Sequence, residues 1–497
     1  MANNAHKQIK HGAIISYCAL AINIVAALLY TPWMIREIGQ ANYGLYTLAI
    51  SFISLFLVDF GVSAALTRFL SKYRAENNTF EAKRILGATY TVYLAIDLFI
   101  LISLTVIYFN LEWIYGELKS DEMQTFKIIF LIVGTFNLIS FPAITQNGIL
   151  NSYEKFIELK ICDLGRKFLA IIFVVLALWN KMGIIAVVCA NVIAELIAIL
   201  IKLYIINHSI RLKPSFRNLD KSIYKAIFSF SIWMTIISFA QKFVYNIAPT
   251  ILGIVSGAIA ISIYGPASSL GSYYYAVAVA VNGLFLPHVS RKIVQKKEED
   301  IQRLMIQMGQ FQMMLLGFVF ATFVSIGKNF IILWLGEGFD LSYICTVLVF
   351  LPAMFEYSQQ IGATMIVAKN LVKYQAIGFI IISVITLAVS FVLGKIGGAP
   401  GVCLSICIAG FANVALQNWI FSKKLNLNMS EFWRKAVLPA IPTILTTIII
   451  GGIINNYLEK DWIMLCVSAS FILVIYLICV IVFQREIFHN IMSYIKK

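Results

Sequence analysis

The chain has 497 residues, of which 60% are hydrophobic and 13% are charged. Soluble domains usually carry about 25% charged residues, and the mean hydropathy of +0.85 excludes an ordinary soluble protein. The formal net charge of +15 does not indicate a nucleic-acid-binding protein, because the basic residues form small clusters between apolar segments.

Apolar segments long enough to cross a hydrocarbon core of about 30 Å recur along the whole chain. The sequence predicts an all-α integral membrane protein of about fourteen transmembrane helices. The first seven are Gly12–Met34, Tyr43–Leu66, Ile85–Tyr108, Ile128–Leu150, Ile161–Trp179, Ile184–Ile206 and Ala226–Leu252. The others are Ala258–Leu286, Met305–Ile326, Tyr343–Val367, Tyr374–Leu393, Gly401–Phe421, Val437–Ile454 and Trp462–Phe483.

The distribution of lysine and arginine predicts the orientation of these helices. With fourteen spans, 31 of the 39 basic residues fall on the side that holds both termini, and seven fall on the opposite side. Cytoplasmic loops carry such an excess of positive charge. We therefore expect both termini to be cytoplasmic, and we interpret the first span as a retained helix and not as a cleaved signal peptide.

A faint internal repeat predicts how the helices are grouped. Tyr43-Gly44 opens the second span, Tyr264-Gly265 lies in the eighth, and each span ends in a basic cluster. A repeat of six spans preserves orientation, so the two copies would be parallel repeats. We expect two pseudo-symmetric six-helix lobes at residues 1–215 and 216–425, followed by two further transmembrane helices at residues 426–497.

Charged residues inside the predicted spans are the first candidates for function. Each costs roughly 2.5–3.5 kcal/mol near the middle of a bilayer, so each needs a compensating environment. The five that lie nearest the middle of the membrane are Asp59, Asp97, Glu195, Lys242 and Glu356. One interpretation is a wet cavity in which Lys242 meets an anionic substrate and the acids bind a proton or a sodium ion. The other is a set of interhelical pairs that serve only the fold.

The seventh and eighth spans add polar and aromatic candidates. Lys242 and Asn246 are one helical turn apart, as are Gln241 and Tyr245, and such stripes must face a cavity or a neighbouring helix. The eighth span contributes Tyr264, the run Tyr273–Tyr275 and Asn282. Tyrosine rings with hydroxyl groups suit the faces and edges of sugars, but the same run is typical of an interfacial aromatic belt.

The sequence predicts no metal site, disulfide framework or cofactor. None of the eight cysteines forms a C-x-x-C pair. The five histidines lie near the ends of predicted helices, and no H-E-x-x-H motif is present.

The first seventy residues carry a family resemblance. The block contains Leu29-Tyr30-Thr31-Pro32, Ile38-Gly39, Tyr43-Gly44-Leu45-Tyr46, Asp59-Phe60-Gly61 and Ala65-Leu66-Thr67-Arg68-Phe69. It resembles the polysaccharide repeat-unit flippases, also called O-antigen or oligosaccharide flippases. These belong to the multidrug/oligosaccharidyl-lipid/polysaccharide exporter superfamily.

The resemblance implies two lobes around a central cavity that alternates between inward-open and outward-open states. The implied cargo is an undecaprenyl-pyrophosphate-linked oligosaccharide, moved from the cytoplasmic to the outer leaflet of the bacterial cytoplasmic (inner) membrane. The implied protein is not an enzyme and needs no cofactor. Its expected partners are the cargo, membrane lipids, a coupling H⁺ or Na⁺, and polymerase and chain-length proteins.

Site residues follow from the resemblance together with the polar pattern. The expected substrate-binding residues are Lys242, Arg68, Arg291, Tyr245, Asn246, Tyr264, Tyr274 and Asn282. The expected ion-coupling residues are Asp59, Asp97, Glu195 and Glu356. Arg68 and Arg291 could equally be topology signals. Family members often carry an acid near Asn246, so this amide is a departure that puts ion coupling there in doubt.

Two alternatives remain open on the sequence. One is an exporter of the same superfamily with another cargo, either a lipid-linked peptidoglycan precursor or a drug. The other is a membrane glycan polymerase or glycosyltransferase, which needs an outer loop with catalytic acids. The first outer loop, residues 35–42, has Glu37 as its single acid, which disfavours the enzyme.

Overall fold

A computed structural model of the chain describes residues 21–22, 24–56, 61–217, 219–294, 298–369, 371–457 and 461–484. The first helices are α1 (residues 24–38), α2 (Gln40–Phe56), α3 (Val62–Ala75), α4 (Thr79–Phe109), α5 (Leu111–Ile114), α6 (Ser120–Ala143), α7 (Thr145–Ser152), α8 (Phe156–Trp179) and α9 (Gly183–Ile205). They are followed by α10 (Lys221–Tyr245), α11 (Ala248–Val255), α12 (Gly257–Val294), α13 (Glu298–Leu335), α14 (Asp340–Ser358), α15 (Gln360–Ala368), α16 (Val372–Lys424), α17 (Met429–Phe432), α18 (Ala440–Tyr457) and α19 (Trp462–Phe483).

All regular secondary structure in the described residues is helical, as the sequence predicts. Eight helical segments there are long and apolar enough to cross a membrane. They are Thr79–Phe109, Ser120–Ser152, Gly183–Ile210, Glu299–Leu335, Asp340–Ser358, Val372–Lys424, Met429–Asn455 and Trp462–Phe483. The chain is therefore a multi-pass membrane protein, while the total of fourteen spans stays a prediction.

The faces of these helices show what surrounds them. Helix α4 exposes Leu98 and Phe99 along its outer side, and α19 exposes Phe471 and Val482. Large apolar side chains in such numbers on one surface are compatible with a lipid solvent and not with water. The opposite faces hold the packed interior, where for example the buried ring of Tyr93 contacts that of Phe141 edge-on.

Helix α16 contains two of the predicted spans. Its 53 residues would extend about 80 Å as a straight helix, more than twice the thickness of a hydrocarbon core. Gly398 interrupts it with a backbone φ of 55°, a conformation that glycine adopts without strain. The predicted spans Tyr374–Leu393 and Gly401–Phe421 are thus joined by a kink at a glycine.

Four other predicted spans are each formed by two shorter helices. The pairs are α2 with α3, α6 with α7, α10 with α11, and α14 with α15. Two breaks lie beside prolines, since Pro142 is the last residue but one of α6 and Pro249 is the second residue of α11. Proline lacks the N–H that would continue the helical ladder. Gly61, with φ 63°, precedes α3, and Gln359 separates α14 from α15.

The chain forms two compact units, residues 1–262 and residues 263–497. In the first unit, α8 packs against α9, and α6 packs against α2, α4 and α9. In the second unit, α13 packs against α14, α18 and α19, and α14 packs against α16. The three-part division at residues 215 and 425 stays a prediction.

The Tyr43-Gly44 motif has a packing role in the first unit. A Cβ atom on Gly44 would lie 2.0 Å from the backbone oxygen of Ala258, at the start of α12. The closeness of α2 to α12 therefore depends on the missing side chain. The close approach of the two helices explains why a glycine follows Tyr43 in the motif that predicts the internal repeat.

Candidate functional site

A cavity of about 420 Å³ lies inside the first unit, among helices α2, α6, α7, α8 and α9. Much of its wall is apolar, with Val133, Phe136 and Val188 as examples. Eight polar side chains interrupt that wall: Tyr46, Ser140, Gln146, Asn147, Arg166, Asn191, Glu195 and Lys202. We call this space the first-unit cavity.

An ion pair joins two helices across the wall of the first-unit cavity. Nη1 of Arg166 on α8 donates to Oε2 of Glu195 on α9 at 2.7 Å. About one third of each side chain is exposed, at 35% and 33%. The pair therefore borders the open space and is not sealed inside a dry helix contact.

A second ionic group lies deeper in the same wall. Nζ of Lys202 lies 2.8 Å from Oδ1 of Asp163 and 3.1 Å from Oδ1 of Asn147. Its side chain is only 10% exposed. A lysine this buried in a membrane helix needs partners that compensate for its lost hydration, and here they are a carboxylate and an amide oxygen.

The side-chain amides of Asn191 and Gln146 lie in the cavity wall, and not all of their polar atoms are hydrogen-bonded within the protein. Nδ2 of Asn191 donates to the backbone oxygen of Val187 at 2.9 Å and lies 3.4 Å from the hydroxyl of Tyr46. Gln146 is 4% exposed, and its Oε1 has no hydrogen-bond partner. An unpartnered buried acceptor in a cavity wall can receive a hydrogen bond from a ligand or from water.

The charges around the first-unit cavity balance one another. Arg166 and Lys202 are matched by Glu195 and Asp163 through direct contacts. Such a lining does not select strongly for an anion, but it offers donors and acceptors close together. Each sugar hydroxyl both donates and accepts, so the lining is chemically suited to a hydroxyl-rich headgroup.

Residues 9–291 match the family model described as polysaccharide biosynthesis protein. The matched segment covers more than half of the chain and includes every residue that lines the first-unit cavity. The chain belongs to the polysaccharide biosynthesis protein family. This finding confirms the family that the first seventy residues predict. No curated protein matches the sequence.

Solved structures of transporters share the fold of this polysaccharide biosynthesis protein. Lipid II flippase MurJ, in an inward closed conformation, matches with a TM-score of 0.75 and 17% identity over 96% of this chain and 99% of that chain. A multidrug resistance MATE family transporter of the MOP superfamily, inward-facing, matches with a TM-score of 0.65 and 12% identity over 86% and 100%. The Vibrio cholerae MATE transporter VcmN gives 0.55 and 16% over 85% and 98%. At these identities the likeness establishes the fold alone.

The predicted site residues of the first unit are dispersed. Glu195 lines the first-unit cavity, whereas Arg68, Lys242, Tyr245 and Asn246 are not among its lining residues. Arg68 is exposed on α3, and Lys242 is half-buried near the end of α10. The backbone oxygen of Asn246 accepts a 2.5 Å hydrogen bond from the hydroxyl of Ser51. Their roles in binding stay predictions.

Asp97 has a different environment from the other acids. It lies in the middle of α4, half-buried, and its Oδ1 has no hydrogen-bond partner. The neighbouring Leu94 and Leu98 are exposed. Its part in ion coupling stays a prediction, as does that of Asp59, which lies outside the described residues.

Three of the predicted site residues of the second unit, Tyr264, Tyr274 and Glu356, are buried or hydrogen-bonded within the protein. The buried Tyr274 donates through its hydroxyl to the backbone oxygen of Leu316 at 2.9 Å, and Tyr264 is also buried. Oε1 of Glu356 accepts from Nδ2 of Asn413 at 2.8 Å. The side chains of Asn282 and Arg291 lie outside the described set.

Sequence reasoning missed most of the polar lining of the first-unit cavity. Arg166, Asp163 and Lys202 are not among the site residues that the sequence predicts. A signal existed in the spacing, because opposite charges three residues apart in one span faced opposite charges seven residues apart in the next. On antiparallel helices, the order of these charges is compatible with Arg166 beside Glu195 and Asp163 beside Lys202, although the two unequal intervals do not by themselves fix the pairing.

Proposed function

We propose that this protein is a flippase for an undecaprenyl-pyrophosphate-linked oligosaccharide repeat unit. The cargo would pass from the cytoplasmic to the outer leaflet by alternating access, while its polyprenyl tail remains in lipid. The observation that carries the proposal is the first-unit cavity, a space with eight polar side chains in its otherwise apolar wall, in a member of the polysaccharide biosynthesis protein family.

The chemistry of the cavity supports a sugar as the part that enters it. Its ionic groups are already compensated, and its amides and the Tyr46 hydroxyl present donors and acceptors. A drug with a large apolar surface would offer no hydrogen bond to the polar groups of the wall, among them the unpartnered Oε1 of Gln146, and this costs free energy. A hydroxyl-rich headgroup satisfies them.

The pyrophosphate requires cations elsewhere, since Arg166 and Lys202 are paired with acids. Lys242, Arg68 and Arg291 are the proposed partners of its negative charge. A transporter driven by a proton or sodium ion would use some of Asp59, Asp97, Glu195 and Glu356. We place the protein in the bacterial cytoplasmic membrane with both termini cytoplasmic, alongside polymerase and chain-length proteins.

A genetic experiment tests the proposed cargo. The chain or its variants would be returned to a strain in which the chromosomal copy is deleted, and surface glycan and protein level would be measured together. We expect Lys242→Ala and Arg68→Ala to reduce surface glycan at unchanged protein level. Normal glycan display from both variants would remove these residues from the site.

The fold of lipid II flippase MurJ makes a peptidoglycan precursor the second candidate cargo. The same deletion strain distinguishes the two. Loss of surface glycan with normal cell-wall synthesis supports the repeat unit. Accumulation of the lipid-linked peptidoglycan precursor on the cytoplasmic side, with intact surface glycan, would replace the repeat unit by that precursor.

A further inference from the structure

An open groove on the surface of the first unit lies between α4 and α10, and it shares no lining residue with the first-unit cavity. Its volume is about 510 Å³. Phe99 and Phe228 are 68% and 48% exposed, so the groove opens towards the surroundings of the helices. We call it the α4–α10 groove, and its lining consists of Thr91, Val92, Ala95, Ile96 and Phe99 of α4 with Tyr224, Phe228 and Phe239 of α10.

The α4–α10 groove has the length of one lipid hydrocarbon chain. One end is marked by Thr91 and Tyr224, whose hydroxyl oxygens lie 3.0 Å apart. From there the lining extends about 12 Å along α4 to Phe99 and about 22 Å along α10 to Phe239, at about 1.5 Å per residue. Each leaflet contributes about 15 Å to a hydrocarbon core of about 30 Å. The groove therefore matches an acyl chain of one leaflet.

Two lysines lie on the groove side of α10, in its first turns. Lys221 lies three residues before Tyr224, and Lys225 lies three residues before Phe228, so the four share one face of the helix. Both lysines are exposed. Cations are disfavoured near the N-terminus of a helix, because the helix dipole is positive there. A negatively charged ligand beside the two lysines would offset this cost.

The acids at this end of the groove contact a different cation. Nη1 of Arg84 lies 2.6 Å from Oε1 of Glu81, and its Nη2 lies 3.6 Å from Oδ2 of Asp220. Within the described ranges of the chain, Lys221 and Lys225 form no ion pair with an acidic side chain. Lysines in loops also act as topology signals, but that role does not require an apolar groove beside them. Uncompensated positive charge thus adjoins the polar end of an apolar groove.

We propose that the α4–α10 groove binds an anionic phospholipid of the surrounding bilayer. One acyl chain lies between α4 and α10, and the phosphate of the headgroup lies beside Lys221 and Lys225. Basic pockets between membrane helices bind anionic headgroups in this way. The lipid is a bound component of the membrane and not the cargo, so the proposal does not depend on the proposed function.

The test uses the purified full chain in detergent, titrated with dioleoyl phosphatidylglycerol or with dioleoyl phosphatidylcholine. The two lipids have the same acyl chains and differ in headgroup charge. A ligand that binds the native state raises the thermal unfolding temperature in a saturating manner. We expect a larger rise with phosphatidylglycerol, and we expect high salt to reduce the difference because it screens exposed charges.

The double variant Lys221→Gln/Lys225→Gln tests the headgroup contacts. Both lysines are exposed, so the variant should unfold at the wild-type temperature when no lipid is added. We expect its apparent affinity for phosphatidylglycerol to fall by about tenfold or more. Lys160→Gln/Lys423→Gln is the matched control, because it removes two exposed lysines that do not border the groove. The control should bind phosphatidylglycerol as the wild type does.

Ala95→Trp tests the acyl-chain contacts without a change of charge. Ala95 is an exposed residue of the groove lining, so a large side chain there fills the groove without disturbing the packed interior. We expect a fall of about tenfold or more in the apparent affinity for phosphatidylglycerol. Ala388→Trp on α16 is the control, because Ala388 is exposed beside Val384 and Val392, which are 61% and 60% exposed.

Three results would overturn the proposal. The first is an equal rise of the unfolding temperature with the two phospholipids. The second is wild-type affinity for phosphatidylglycerol in the double lysine variant or in Ala95→Trp. The third is tighter binding of undecaprenyl phosphate than of phosphatidylglycerol that is lost in the same variants, since it would assign the groove to a polyprenyl lipid.

Discussion

Arg166 and Glu195 are 29 residues apart in the sequence and 2.7 Å apart in the first unit. Their contact fixes the register of α8 against α9, and it also lines the cavity that is the candidate site. An ion pair that borders a cavity can serve the fold, the cargo or both. The two roles respond differently to substitution.

Removal of one partner should destabilise the protein. Arg166→Met leaves Glu195 without its cation at the cavity wall, and we expect a loss of about 1–3 kcal/mol, because both side chains are partly exposed. The double variant Arg166→Met/Glu195→Met should recover stability, since an apolar pair can replace an ion pair inside a protein. Thermal unfolding in detergent measures both effects.

Surface glycan should not recover in that double variant, because the cavity wall has then lost the Arg166 donor and the Glu195 acceptor. A double variant that is as stable as the wild type but displays little surface glycan would show that the ion pair has a role in transport. Wild-type glycan levels from the stable double variant would instead assign the pair to the fold alone.

Lys202 is the cation most deeply placed in the first-unit cavity, and its charge should matter more than that of a surface lysine. Lys202→Met removes the group that holds Asp163 and Asn147, and we expect surface glycan to fall by about tenfold or more. Lys155→Met is the control, because within the described part of the chain Lys155 forms an ion pair with Glu158, three residues further on, and it does not line the cavity. Equal glycan levels in the two variants would remove Lys202 from the site.

Gly44→Ala should disrupt the packing of α2 against the start of α12. The new Cβ would lie 2.0 Å from a backbone oxygen, which cannot move aside as a flexible side chain would. We expect a cost of about 3 kcal/mol or more, read as low protein level and a reduced unfolding temperature. Gly165→Ala in α8 is the matched control, because no atom lies within 4 Å of the added Cβ. It should be neutral or stabilising by about 1 kcal/mol.

Asp220 caps the N-terminus of α10 outside the predicted spans. Hydrogen bonds from the Ser222 hydroxyl and the Ile223 N–H hold the pKa of its carboxyl below its ordinary value. A carboxyl whose pKa is lower in the folded than in the unfolded protein stabilises the fold at pH values above its unfolded pKa, which is near 3.9. This stabilisation is lost as the pH falls through the pKa of the folded protein.

We therefore expect Asp220→Asn to lower the unfolding temperature slightly at pH 7 and to equal the wild type under strongly acidic conditions. Paired thermal scans of the two proteins at several pH values give the comparison. A difference that grows as the pH falls would contradict the role of the ionised carboxylate.

The sequence predicts the helices well, but of the polar residues that line the first-unit cavity it names only Glu195, for a physical reason. The apolar length of segments such as those that form α4, α9 and α19 is a local property, and lipid solvation makes it decisive. The partner of Glu195 is not local, because it depends on the register between two helices. Proline marks the breaks near Pro142 and Pro249, but no residue type in the sequence marks the break at Gln359.

The central claim is that the sugar of a lipid-linked oligosaccharide crosses the membrane through the first-unit cavity, in contact with the polar side chains of its wall. Its most direct test uses proteoliposomes that contain the full chain and a polyprenyl-pyrophosphate-linked oligosaccharide, with sugar exposure measured by an impermeant glycosidase. In liposomes, the sugar that faces the lumen is out of reach of the glycosidase. We expect the wild type to bring this sugar to the outer face, and Lys202→Met to do so at least about tenfold more slowly. Exposure by the wild type at the rate of protein-free liposomes, or equal rates for wild type and Lys202→Met, would contradict the account.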